Sequence, residues 1–212
     1  MKTVIWDFDG TLFDTYPGMI RALVTVLEAH QLPADAQELL KATKYDSMKR
    51  VLDDYAVKYD VARTVLQAEY NANERRLNQN PQPYPGALAA TSTVKVEGGM
   101  NLLWTHRDQK AWQLLRQNQM SGLFAGGTTI DMHFKRKPNP ESVLYLLNQF
   151  ETTATDTLVV GDRRLDVEAG AAAGCQTLYI DVDGLHDAPT ATYTAPTLAK
   201  ALPTIRQFVA GD

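Results

Sequence analysis

Two pairs of aspartates carry the strongest chemical signal in the chain. Asp7 and Asp9, in Asp7-Phe8-Asp9-Gly10-Thr11, directly follow the apolar run Thr3–Trp6. Asp162 and Asp166, in Gly161-Asp162-Arg163-Arg164-Leu165-Asp166, follow a second apolar run, Thr157–Val160. Carboxylates this close repel one another unless a cation or a shared proton offsets the charge. An Asp-Gly turn or an aspartate capping a helix explains one member of a pair, not both. If the pairs converge at adjacent strand ends, four carboxylates share a small volume, which a divalent cation makes tolerable. With oxygen donors and no Cys or His cluster, that cation is expected to be hard, Mg²⁺ before Ca²⁺ or Zn²⁺.

Such residues need a frame that brings strand ends together. Short apolar runs typical of buried strands fall at Thr3–Trp6, Asn101–Thr105, Thr157–Val160 and Gln176–Ile180, with a weaker one at Thr128–Met132. Helical stretches lie between them, at Gly86–Glu97, Arg107–Asn118, Pro140–Asn148 and Asp166–Ala173. The alternation predicts an α/β fold, a doubly wound parallel sheet of Rossmann-like type whose ligands sit beyond the carboxyl ends of the strands. From Tyr16 to about Gln82 the pattern is helical with no strand, as in Ile20, Leu23, Val24 and Leu27. We therefore expect a core of 1–14 and 83–212 with an all-helical insert at 15–82, left through Pro81, Pro83 and Pro85. The insert holds nine basic and nine acidic residues, so the whole net charge of -4 belongs to the core.

Composition narrows the partners. At 44% hydrophobic and 22% charged, 212 residues suit a globular domain with a sizeable core. A mildly acidic chain argues against a general affinity for nucleic acid or an anionic membrane, so an anionic ligand must find its positive charge locally. Charges at Lys2 and Asp7 interrupt the first apolar run, which leaves no room there for a signal or spanning segment. The single cysteine, Cys175, agrees with a reducing, cytoplasmic location and reads as a packing residue.

The acidic pairs, Thr105 after an apolar run, and Lys137-Pro138-Asn139-Pro140 resemble, in order, the four motifs of the haloacid dehalogenase-like hydrolases, in the phosphoglycolate phosphatase-like branch. The resemblance implies that the insert is a mobile cap that closes over the site. It implies a Mg²⁺-dependent phosphatase acting on a small phosphorylated metabolite, with Asp7 as nucleophile forming an aspartyl-phosphate and Asp9 as acid/base. Mg²⁺ is then held by Asp7, the Asp9 backbone carbonyl and Asp162, with Asp166 a direct ligand or an orienting group. Thr105 and Lys137 are expected to contact the phosphoryl group, alongside Gly10. By themselves, a strand-end threonine reflects β-propensity and Lys135-Arg136-Lys137 reads as a solvated basic patch.

His106 stands where relatives carry Asn, and either contacts the leaving group or packs beside the strand end. Ala42-Thr43-Lys44-Tyr45 breaks helical periodicity, which makes Thr43 and Lys44 candidates for a substrate loop. Two alternatives stand beside the phosphatase: a sugar-phosphate mutase of the same fold, disfavoured by Met19 where mutases carry His, and a non-enzymatic phospho-ligand-binding module.

Overall fold

The computed structural model describes residues 1–211. Among these, the first of two compact units comprises 1–13 and 83–211 and the second comprises 14–82. The first is built on six parallel strands, β1 (Thr3–Trp6), β2 (Met100–Trp104), β3 (Phe124–Thr128), β4 (Thr157–Gly161), β5 (Gln176–Ile180) and β6 (Tyr193–Ala195). Their spatial order is β3-β2-β1-β4-β5-β6, so β1 is central and the chain order reverses beside it. That reversal opens a crevice at the carboxyl ends of β1, β2 and β4. The register levels those ends, because Trp6 pairs with Leu103 on one side and Val160 on the other.

Side chains alternate across the sheet. Val4, Trp6, Leu103, Leu158 and Val160 point to a face that also buries Ala90, Leu114, Ile205 and Phe208. Those residues lie on α5 (Ala87–Val96), α6 (Lys110–Gln117) and α9 (Leu198–Ala210). Ile5, Leu102, Trp104 and Val159 take the other face, with Val143 and Leu146 of α7 (Glu141–Gln149) and Ala169 of α8 (Arg164–Ala172).

Asn101 is the polar exception within the first layer. It is 1% exposed, accepts from Trp6 Nε1 at 2.7 Å and donates to the Thr91 and Leu123 carbonyls at 2.8 and 3.1 Å. Asn101→Leu keeps the volume but leaves the Trp6 indole N–H unsatisfied and takes a donor from the Thr91 and Leu123 carbonyls, so it is expected to destabilise the fold by about 2 kcal/mol or more. Urea unfolding checks this. An unchanged midpoint would mean that the network contributes nothing.

Four elements differ from the sequence expectation. The weaker strand expected at Thr128–Met132 lies earlier, at Phe124–Thr128, and Ile130–Met132 is a turn of 3₁₀ helix. Gly126 and Gly127 hide the strand, yet the packing demands them: a Cβ on Gly127 would lie 2.3 Å from the Leu103 carbonyl oxygen. Helix α9 carries Pro203 in its interior, which reads as a stop, and β6 is only three residues long. The helix expected from Arg107 begins at Lys110, which leaves Arg107 in the loop after β2.

The second unit packs α1 (Tyr16–Ala29), α2 (Ala36–Tyr45), α3 (Met48–Tyr59) and α4 (Arg63–Leu77) around Leu23, Leu27, Leu39, Leu52 and Leu66. Asn78 Nδ2 donates to the Thr15 carbonyl at 3.2 Å and so ties the end of α4 to the start of α1. Ala42–Tyr45 is the last turn of α2, not a loop. Asp35 caps that helix through the Glu38 amide at 2.9 Å, and Lys44 complements its C-terminal dipole.

Candidate active site

Asp7 is the first residue beyond β1, and its amide extends the ladder to the Val160 carbonyl at 2.9 Å. Thr105 stands at the equivalent place after β2, its amide donating to the Thr128 carbonyl at 3.2 Å. Asp162 follows β4. The level register thus delivers Asp7, Thr105 and Asp162 to one edge of the sheet, and all three are nearly fully buried. Asp166, on the first turn of α8, accepts the Arg163 amide on Oδ2 at 3.1 Å. This carboxylate therefore caps its own helix while facing the site.

Asp7, Asp162 and Asp166 each offer an oxygen within 4.8 Å of the others. The Thr11 hydroxyl lies 3.4 Å from Asp7 Oδ2 and 3.2 Å from Asp162 Oδ1. Having one hydrogen, it serves one of them at a time. Lys137 enters from the loop before α7, with Nζ 2.5 Å from Asp7 Oδ1 and 2.7 Å from Asp166 Oδ1. The same ammonium, on a side chain that is 1% exposed, sits 3.6 Å from the centroid of the Trp104 ring in a cation–π contact.

One ammonium cannot neutralise this many buried carboxylates. Burial pushes Asp7 up to about 8, against the pull of Lys137 and with the help of Asp166 and Asp162. Asp166 goes the other way: its burial is outweighed by the charges of Lys137 and Arg163 and by its hydrogen bonds, which hold it below the usual carboxylate range. The cluster therefore keeps a proton, on Asp7. Because the folded pKa of Asp7 lies above its unfolded value, the stability it lends is present below about pH 4 and lost as pH rises to about 8. Three hard oxygen donors short of positive charge suit a small divalent cation.

Asp9 stands apart from this set. Its Oδ1 accepts from Arg107 Nε at 3.0 Å and Nη2 at 2.7 Å, so the four side chains expected to converge are three in the close cluster and one on an arginine. Arg107 was not singled out by sequence reasoning; the available signal was a cation two residues beyond Thr105. The Arg107 amide donates to Thr105 Oγ1 at 3.0 Å and its carbonyl accepts from the Ile130 amide at 3.1 Å. Gly10, expected at the substrate, instead spends its amide on the Phe13 carbonyl at 2.9 Å in a left-handed turn, φ +84°.

His106 lines a cavity of about 230 Å³ with Trp104, Thr105, Thr128 and Arg136. Burial, then the charges of Lys137, Arg136 and Arg163, lower its pKa to about 3, so the imidazole is neutral near pH 7. Thr43 and Lys44 belong to the helical unit, where Lys44 Nζ lies 4.6 Å from the Tyr16 ring centroid. Both are buried. Among the described residues no helix is long and apolar enough to cross a membrane.

The model of the haloacid dehalogenase-like hydrolases matches residues 4–180. A phosphoglycolate phosphatase from Aliivibrio fischeri is 28% identical, over 89% of this chain and 88% of its own. One from Yersinia pestis is 30% identical, over 82% and 78%. A haloacid dehalogenase-like family hydrolase from Streptococcus pneumoniae superposes with a TM-score of 0.80 at 14% identity, covering 96% of this chain and 98% of that one, which speaks for the fold alone.

Proposed function

From the premise that the chain belongs to the haloacid dehalogenase-like hydrolase family and is a phosphatase, we propose that it hydrolyses a small phosphorylated metabolite with Mg²⁺ bound at Asp7, the Asp9 carbonyl, Asp162 and Asp166. The observation that carries this reading is Asp7, buried at the end of the central strand, 2.5 Å from Lys137 and within 4.8 Å of carboxylate oxygens of Asp162 and Asp166. Phosphoglycolate is the first substrate to test, because the relatives at 28% and 30% identity bear its name.

The residues divide the work. Asp7 attacks phosphorus, so a phosphorus–oxygen bond forms to its carboxylate as the bond to the substrate's alcohol oxygen breaks. Asp9 gives a proton to the departing oxygen, then takes one from the water that attacks phosphorus and releases phosphate from Asp7. The Thr105 hydroxyl, whose oxygen already accepts the Arg107 amide, has its hydrogen available for a phosphoryl oxygen. Lys137 holds Asp7 in line and balances charge as the phosphoryl group arrives. A bound Mg²⁺ supplies Lewis-acid stabilisation of the phosphoryl oxygens. The helical unit 14–82 is read as the cap.

Phosphate release from phosphoglycolate and p-nitrophenyl phosphate, with and without EDTA, tests the assignment. Net release that EDTA abolishes is expected. Activity surviving both EDTA and Asp7→Asn overturns it, while bisphosphate-activated turnover with little net release would favour the mutase.

Metal binding itself is measurable without turnover. Because metal-free Asp7 keeps a proton up to about pH 8, Mg²⁺ is expected to displace it, and calorimetry at pH 7 in buffers of different ionisation enthalpy should register about one proton released. Saturation at 100 times Kd should stabilise the fold by about 2.7 kcal/mol. No dependence on the buffer would remove the shared-proton account.

A further inference from the structure

We propose that Trp104 is a positioning residue for the reaction, whose indole face fixes the Lys137 ammonium between Asp7 and Asp166 and keeps it there while Asp7 carries the phosphoryl group. The proposal rests on the phosphatase reading of the same site. Lys137 Nζ lies 3.6 Å from the centroid of the Trp104 ring, 2.5 Å from Asp7 Oδ1 and 2.7 Å from Asp166 Oδ1. A lysine carries its charge on a flexible four-carbon stem, and its N–H donors rotate. Two carboxylate contacts alone leave such a group free to swing. A ring face against the same nitrogen removes that freedom, by attraction as well as by bulk.

The ring is itself anchored. Trp104 ends β2, nearly fully buried, on the face of the sheet that packs against α7. Its Nε1 donates to Ser142 Oγ at 2.7 Å, and Ser142 is a buried residue of the first turn of α7. Lys137 lies on the loop that leads into that helix. One hydrogen bond therefore ties the ring to the element that carries the lysine, so ring and ammonium keep a common frame. The tie matters most in mid-reaction. Asp7 spends its carboxylate charge on the bond to phosphorus, which weakens its hold on Lys137, whereas the attraction of an indole face needs no ionised partner. Packing alone would be indifferent to the negative potential of that face.

Fluorinated tryptophan placed at position 104 drains the potential of the ring face while keeping its shape. With successive fluorines, kcat for p-nitrophenyl phosphate at saturating Mg²⁺ is expected to fall stepwise to roughly 30-fold below wild type, the worth of a desolvated cation–π contact, with KM changed by less than about threefold. Trp104→Phe, which keeps a ring, should lose less than Trp104→Leu, and Ser142→Ala, which frees the indole, should lower kcat in the same direction. The contact is also readable without turnover. In urea unfolding of the metal-free protein, the same fluorines should lower the midpoint of the wild type and leave that of Lys137→Met unmoved. A kcat indifferent to fluorination, or equal shifts of the midpoint in the two backgrounds, overturns the proposal and leaves Trp104 as packing. A protein that hydrolyses no ester but shows the Lys137-dependent shift would instead sink the phosphatase reading, with the hold of the ring on Lys137 standing.

Discussion

Asp7→Asn is expected to lower turnover by roughly 10⁴- to 10⁶-fold, the scale of losing a covalent nucleophile, and at the same time to stabilise the metal-free protein at alkaline pH. The first effect follows because no other carboxylate among the described residues is equally placed: Asp162 and Asp166 are committed to Thr11, to Lys137 and to the cap of α8. The second follows from burial. Asp7 is pushed up to about 8, so the folded wild type binds a proton that the unfolded chain has already lost between about pH 4 and pH 8. Across that window the wild type loses stability as pH rises, whereas the variant, whose side-chain amide does not titrate, keeps it. Thermal unfolding of both proteins in EDTA from pH 5 to pH 9 should show a gap that widens with pH, reaching a few kcal/mol. Parallel curves would mean that Asp7 is ionised throughout, with Lys137 alone sufficient to keep it so.

The two effects separate catalysis from architecture. A site built only for stability would gain from replacing Asp7, whose pKa burial raises, whereas the charges of Lys137 and Arg163 hold Asp166 down.

Legibility followed the physics of each element. β1 and β5 are readable to the residue because each is a short run rich in β-branched and aromatic residues that ends at an aspartate, and Asp7 and Asp162 are readable because each directly follows a buried strand. β3 was displaced because its middle is Gly126-Gly127, chosen by the close approach of Leu103 and Phe150 rather than by any strand pattern. α9 was hidden by Pro203. Thr43 and Lys44 looked irregular because the last turn of α2 places a lysine on a ring face, and helical periodicity does not encode cation–π contacts. Arg107 escaped notice because its partner, Asp9, is 98 residues away in the chain, and only the register of β1 against β2 brings them together. Local pattern thus located the carboxylates, whereas their cationic partners are tertiary facts.

Lys137→Met carries the second large effect, on stability as much as on rate. The side chain is 1% exposed and its ammonium serves Asp7 at 2.5 Å, Asp166 at 2.7 Å and the Trp104 ring. Methionine fills the aliphatic volume against Trp104 but leaves the two buried carboxylates without their shared cation. Breaking a buried pair from one side costs about 3–5 kcal/mol, and that loss should appear in urea unfolding of the metal-free protein at pH 7. Because metal-free Asp7 keeps its proton at pH 7, the stranded charge is that of Asp166; adding Asp166→Asn removes it while keeping an oxygen for the Arg163 amide, so the double variant should regain a substantial part of the loss. A Lys137→Met destabilisation below about 1 kcal/mol would place the pair in the range of surface salt bridges and would show that the cluster disposes of its charge by protonation alone. Turnover provides the complementary reading: the double variant should stay as inactive as Lys137→Met, because restoring stability does not restore the cation that the arriving phosphoryl group needs.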